Sequence, residues 1–183
     1  MVIITGIDTC SVHVNHRGDW TFVLVNTDEG IQGLGELNPS GSRTGSIQIL
    51  RDLEEQLIGR DPRRIEHIMA DFKPEPVDRA MVLALGALDQ ALWDILGKSL
   101  GVSVAALLGG KCRNEIHIYA NINRATTDRT PSGFARHAAA AVADGFDAIK
   151  LAPFDGMPGG IERAQDARDG IACMEAVREA IGS

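Results

Sequence analysis

The chain has 183 residues, 44% of them apolar and 23% charged, with a formal net charge of -7. This is an ordinary globular balance with enough apolar material for a real core; the scattered basic residues and only 4% aromatics exclude the electrostatic footprint and the stacking platforms of a nucleic-acid binder. No stretch approaches the roughly 18 uninterrupted apolar residues of a bilayer span, and the start Met1-Val2-Ile3-Ile4-Thr5 has neither the basic region nor the cleavage pattern of a secretion signal. A cytoplasmic protein with neither membrane nor nucleic acid as partner is expected.

Residues 9–14 are rich in β-branched types, 15–19 are turn material, and 20–25 return as strand, which predicts an antiparallel hairpin. A second turn, Asn26-Thr27-Asp28-Glu29-Gly30, leads to a third short strand over 31–36. Its glycines, Gly33 and Gly35, mark places where backbone passes close to something. After a loop punctuated by Pro39, Gly41 and Gly45, the residues Ile47, Leu50, Leu53 and Leu57 recur at helical spacing, with Gly59 as a stop. Asp61-Pro62 reads as an N-cap with proline at the first helical position, opening a short helix through Ile65, Ile68 and Met69 that ends before Pro74 and Pro76. From about 78 to 96, Met81, Leu85, Leu88, Leu92 and Leu96 step by three and four with Ala84, Ala91 and Ile95 widening the stripe, so this is a buried central helix.

Beyond Gly109-Gly110 the pattern becomes strand, helix, strand, helix over 115–121, 131–143, 147–152 and 161–181. Such alternation indicates parallel βα units and places a boundary near 111–114, dividing the chain into 1–112 and 113–183. Cys10, Cys112 and Cys173 lie far apart with no C-x-x-C pair, which fits free thiols better than a disulfide framework or a zinc site. His13 and His16, three apart at a strand end, do not share a strand face and make a poor metal pair.

Five strings carry a family resemblance. They are Gly30-Ile31-Gln32-Gly33-Leu34-Gly35-Glu36, Ala84-Leu85-Gly86-Ala87-Leu88-Asp89-Gln90-Ala91-Leu92-Trp93-Asp94, Leu107-Leu108-Gly109-Gly110, Tyr119-Ala120-Asn121 and Ile149-Lys150. Each alone is common, but in this order and spacing the chain resembles the mandelate racemase/muconate lactonizing group of the enolase superfamily over almost its whole length. The resemblance implies an α+β capping domain, a β-meander plus helices, followed by the start of a (β/α) TIM-type barrel whose site opens at the C-terminal ends of its strands.

Strand alternation puts Ile149 and Leu151 on one face and Lys150 on the other, with Lys150 near the C-terminal end of its strand. By the same parity Ile116 and Ile118 face the helices, while His117, Tyr119 and Asn121 face the barrel interior. Lys150 is therefore the catalytic candidate, and Tyr119 and Asn121 are candidates for substrate contact. The turn carrying His16 and Arg17 occupies the place of the capping-domain loop that closes over substrate in the family, against the plainer reading of a solvated turn. In the family a Lys-x-Lys pair serves the chemistry and its second lysine is typically the base; here that second position is Ala152. One base plus a later general acid suffices to eliminate water from a hydroxy acid, whereas racemisation needs a base on each face of the substrate carbon. The loop Pro153-Phe154-Asp155-Gly156-Met157-Pro158-Gly159-Gly160 lacks the Gly-Lys-Ser/Thr ending of a phosphate loop and reads as an ordinary βα connection.

The family's Mg2+ is held by carboxylates at the ends of the third, fourth and fifth barrel strands. Only two βα units are present, so the ligands are expected outside this chain, and Asp147, Asp155 and Glu162 are not promoted to that role. Part of a Mg2+-dependent acid-sugar dehydratase is the leading expectation, inactive alone, taking a small carboxylate or hydroxy-acid substrate and completed by the rest of the barrel in a homo-oligomer. A racemase or cycloisomerase of the same family, a noncatalytic remnant acting as an assembly module, and a small-anion binding domain stay open beside it.

Overall fold

The computed structural model describes residues 2–15, 18–37, 43–72, 78–155 and 167–182, which form two compact units, Met1–Cys112 and Arg113–Ser183. In the first unit, strands β1 (Ile4–Asn15), β2 (Gly18–Thr27) and β3 (Gln32–Leu37) form an antiparallel meander in the order β1-β2-β3. They are followed by helices α1 (Arg43–Leu57), α2 (Ile65–Asp71), α3 (Arg79–Leu100) and the single turn α4 (Val104–Leu107). One sheet face is dry. Thr21, Val23, Val25 and Leu37 are buried there, and Gly35 and Gly33 stand opposite Val23 and Val25 in the register.

The glycines have a direct cause. A Cβ on Gly35 would lie 2.0 Å from the carbonyl oxygen of Ala87, and one on Gly33 would lie 2.2 Å from that of Ala91. The strand thus rests on the backbone of α3, where Ala87 and Ala91 offer a surface low enough for the approach. Leu88, Leu92 and Ile95 of α3 are fully buried with Val23, Val25, Leu50 and Leu57. Each such side chain stabilises the fold by about 1.5–3 kcal/mol relative to exposure. Asp78 caps the helix by accepting from the Ala80 N–H at 3.1 Å, and Gly101 ends it at φ 69° in the left-handed region. By length and composition alone α3 could cross a membrane; here it is the helix on which the sheet lies.

β3 is an edge strand, and α3 satisfies its outward-facing backbone groups with side chains. Gln90 accepts from the Glu36 N–H at 3.0 Å, Asp94 accepts from the Leu34 N–H at 2.9 Å, and Lys98 donates to the Gln32 carbonyl at 2.6 Å. These three lie four residues apart along one face of the helix, matching the two-residue step of the strand. An edge occupied in this way is closed to a further strand.

Asp61-Pro62 does not start a helix. Its carboxylate accepts from the Arg63 N–H at 3.0 Å and its carbonyl from the Arg64 N–H at 3.1 Å, so the pair forms a turn with proline at the second position, and α2 begins only at Ile65. An N-cap followed by proline and an Asx-turn followed by proline use the same residues. The Arg63 guanidinium, paired at 2.8 Å, holds the Asp61 carboxyl below its ordinary range.

In the second unit, β4 (Ala120–Asn121) and β5 (Ile149–Lys150) form a parallel pair, with Ala120 opposite Ile149 and Asn121 opposite Lys150. Helices α5 (Pro131–Ala143) and α6 (Arg168–Ile181) pack on each other over Ile122, Phe134, Ala138, Ala141, Cys173 and Val177. Thr130 caps α5 by accepting from the Gly133 N–H at 3.1 Å, with Pro131 in the first turn. The helix expected over 161–181 is described from Arg168; residues 161–166 lie outside the described residues.

Both strands are shorter than their sequences predict. The flanking rungs are Ala120 N–H to Ala148 O, 2.9 Å, and Ile122 N–H to Lys150 O, 3.1 Å. Ile116 and Ile118, expected under helices, are 75% and 62% exposed, because the apolar cluster of this unit begins only at Ala120. Alternation fixes parity but does not supply the partner surface. Below the ladder the segments are tied by side chains, His117 Nε2 meeting Asp147 Oδ1 at 2.5 Å.

Candidate functional site at the strand ends

Lys150 is exposed on the face of β5 opposite the helices, while its neighbours Ile149 and Leu151 pack against the α5–α6 cluster. Its ammonium lies 5.7 Å from the ring centroid of Tyr119, a cation–π contact worth about 0.5–1 kcal/mol at an exposed site. Asn121, also exposed, is level with Lys150 across the ladder. The structure therefore brings an amine, a phenol and an amide onto one polar patch at the C-terminal end of the parallel pair. Such a set can hold an anion and exchange a proton. His16 and Arg17, the two candidates of the capping-domain turn, lie outside the described residues.

Next to this patch is a network that the sequence reading missed. Arg129 donates through Nη2 to the Ala152 carbonyl and through Nη1 to the Oδ1 and main-chain carbonyl of Asn123. Asn123 in turn donates to Asp155 Oδ2 at 3.1 Å, and that carboxylate lies 3.5 Å from Arg129. The Arg129 guanidinium sits 4.8 Å from the centroid of the fully buried Phe134 ring. Asp128-Arg129-Thr130-Pro131 reads in sequence only as the start of a helix, so nothing local marked the arginine.

Of the loop after β5, Pro153 to Asp155 form a turn closed by the Asp155 N–H on the Ala152 carbonyl at 3.3 Å, and the residues from Gly156 to Gly160 lie outside the described residues. The ring of Phe154 rests on Gly170 in the first turn of α6, where a Cβ would come within 2.2 Å of it. A groove bounded by Ile116, His117, Phe146 and Asp147 opens at the other end of the strands, away from Lys150. The His117 contact holds the Asp147 carboxyl below its ordinary range. Among the described residues no group of three or more His, Cys, Asp or Glu could hold a metal ion. The described residues do not fit a magnesium site.

Residues 6–109 match the family model for the mandelate racemase/muconate lactonizing enzyme N-terminal domain. The chain belongs to this family. It is 33% identical over 170 residues to a D-galactonate dehydratase from Pectobacterium atrosepticum, an alignment covering 90% of this chain and 42% of that protein. With a D-gluconate dehydratase from Thermoproteus tenax it shares 32% identity over 164 residues, covering 87% of this chain and 33% of the relative. The crystal structure of an enolase superfamily member from Salmonella Typhimurium superposes with a TM-score of 0.85 at 30% identity, covering all of this chain and 53% of the other. The chain thus spans about two-fifths or less of these two curated relatives.

Proposed function

We propose that this chain supplies the capping domain and first two βα units of a Mg2+-dependent acid-sugar dehydratase, with the remaining barrel units and the metal ligands on further polypeptide. The observation that carries the reading is the polar patch of Lys150, Tyr119 and Asn121 at the strand ends, in a chain that aligns with two acid-sugar dehydratases over most of its length. Lys150 serves as the base or as the cation holding the substrate carboxylate, and Tyr119 and Asn121 contact the acid. Ala152 in place of a second lysine favours elimination of water over racemisation, because elimination needs only one base and a separate acid. His16 and Arg17 are proposed to meet the substrate from the capping domain. The assembled protein is proposed to be cytoplasmic and homo-oligomeric; magnesium, if held by carboxylates on the further polypeptide, would supply positive charge there.

The test is a panel of aldonic acids, D-galactonate and D-gluconate among them, with Mg2+, following 2-keto-3-deoxy acid as its semicarbazone. The chain extended by the polypeptide encoded after Ser183 should turn over one of them, and the 183 residues alone should not. Turnover by the chain alone, or silence of the extended protein across the panel, overturns the proposal.

A further inference from the structure

We infer that Arg129 is a positioning residue that holds the C-terminal ends of β4 and β5 together and thereby sets where Lys150 is presented. The parallel ladder is only two residues deep and its last rung is Ile122 N–H to Lys150 O, so little backbone pairing fixes the strand ends. Arg129 continues the connection beyond that rung. One arm of its guanidinium takes the Ala152 carbonyl, two residues past Lys150, and the other takes Asn123, two residues past Asn121. Asp155 closes the circuit from the far side through Asn123, and the buried Phe134 ring supports the guanidinium plane. A planar fork with five donors can satisfy both strand ends at once, which a lysine ammonium on a flexible stem cannot do with the same geometry.

The inference rests on the proposed reading only in assigning Lys150 a chemical task; the positioning itself is measurable without turnover. Reductive methylation with 13C-formaldehyde gives Lys150 a dimethylammonium signal, assigned through Lys150→Arg and shifted by the neighbouring Tyr119 ring. In Arg129→Met that signal should move toward the solvated-lysine position, and the Ile122 amide should exchange about tenfold faster or more, since local opening is no longer restrained. Arg129→Lys should fall between the parent and Arg129→Met. If Arg129→Met fails to fold, the double variant Asn123→Ala, Asp155→Ala removes two side-chain partners while leaving the guanidinium on Phe134 and on the main-chain carbonyls of Ala152 and Asn123, and a smaller displacement in the same direction is expected.

An unmoved Lys150 signal with unchanged Ile122 exchange in a folded variant overturns the positioning role. A moved signal together with a silent acid-sugar assay instead sinks the dehydratase reading alone. In a turnover-competent extended protein, Arg129→Met should lower kcat with a smaller effect on KM; the reverse pattern also counts against positioning.

Discussion

Replacing Gly35 by alanine tests the packing that fixes the first unit. The added methyl would meet the Ala87 carbonyl oxygen at 2.0 Å and the Ala87 carbonyl carbon at 2.9 Å, both backbone atoms of a buried helix segment. An ordinary carbon–oxygen contact is about 3.3 Å, so β3 must lift by roughly 1.3 Å. Overpacking costs about 1–3 kcal/mol. The lift also loosens the Leu34 and Glu36 N–H bonds to Asp94 and Gln90, each worth about 0.5–1.5 kcal/mol. A destabilisation of about 2–6 kcal/mol is expected from these parts. Gly86→Ala is the control, since Gly86 is exposed on the same helix with nothing within 4 Å of an added Cβ; it should stabilise by about 0.5–1 kcal/mol through helix propensity. Both tryptophans, Trp20 and Trp93, lie in the first unit, so urea unfolding followed by their fluorescence reads it selectively. If Gly35→Ala falls within about 1 kcal/mol of the parent, β3 does not rest on the α3 backbone as described.

Asp94→Ala removes the acceptor of the Leu34 N–H and the partner of Lys98; it should cost about 1–3 kcal/mol in urea unfolding and favour concentration-dependent association on sizing, because the β3 edge is uncovered. Burial, then the nearby Glu66 charge, raises the Asp89 carboxyl above its ordinary range against an opposing bond to Trp93. The protonated form is thus favoured in the folded state, and stability should fall as pH rises through the raised value; Asp89→Asn should be neutral or stabilising at pH 7 and flatten that limb, and a clear loss of stability at pH 7 would contradict it. Asp147 has the opposite sign: its folded pKa is depressed by the hydrogen bond from His117, so its contribution is full above the ordinary aspartate range and disappears as pH falls through the lower folded value. Acid unfolding of the second unit, followed by NMR, should lose that acid-limb contribution in Asp147→Asn. Titration calorimetry of the 183-residue chain with Mg2+ should give no binding tighter than about millimolar, the range of weak hard-cation sites; micromolar affinity would mean that a ligand set has been missed.

The parts of the fold that were legible in sequence are those whose cause is local. The α3 stripe of Leu85, Leu88 and Leu92 and the α5 start at Pro131 each announce themselves within one or two turns of chain. So do Gly33 and Gly35, since only a close backbone approach explains two glycines on one strand face. What failed depended on distant partners. The segment 115–119 has strand-like composition, yet strand is a property of pairs, and it has no ladder partner among the described residues. Asp61-Pro62 failed for another reason, because turn and helix start share the same signal.

The site divides along the same line. Parity along the strand placed Lys150 opposite Ile149 and Leu151, and the structure sets that lysine beside Tyr119 because β4 and β5 pair in parallel with Asn121 opposite Lys150. Arg129 could not be read this way, since its partners Asn123, Ala152 and Asp155 come from both strand ends and meet only after the unit has folded. A lysine exposed on a two-residue ladder has no fixed position by itself. Beyond the last rung the strand ends are joined by side chains of the connecting segments, Arg129, Asn123 and Asp155, where variation in sequence costs the core least.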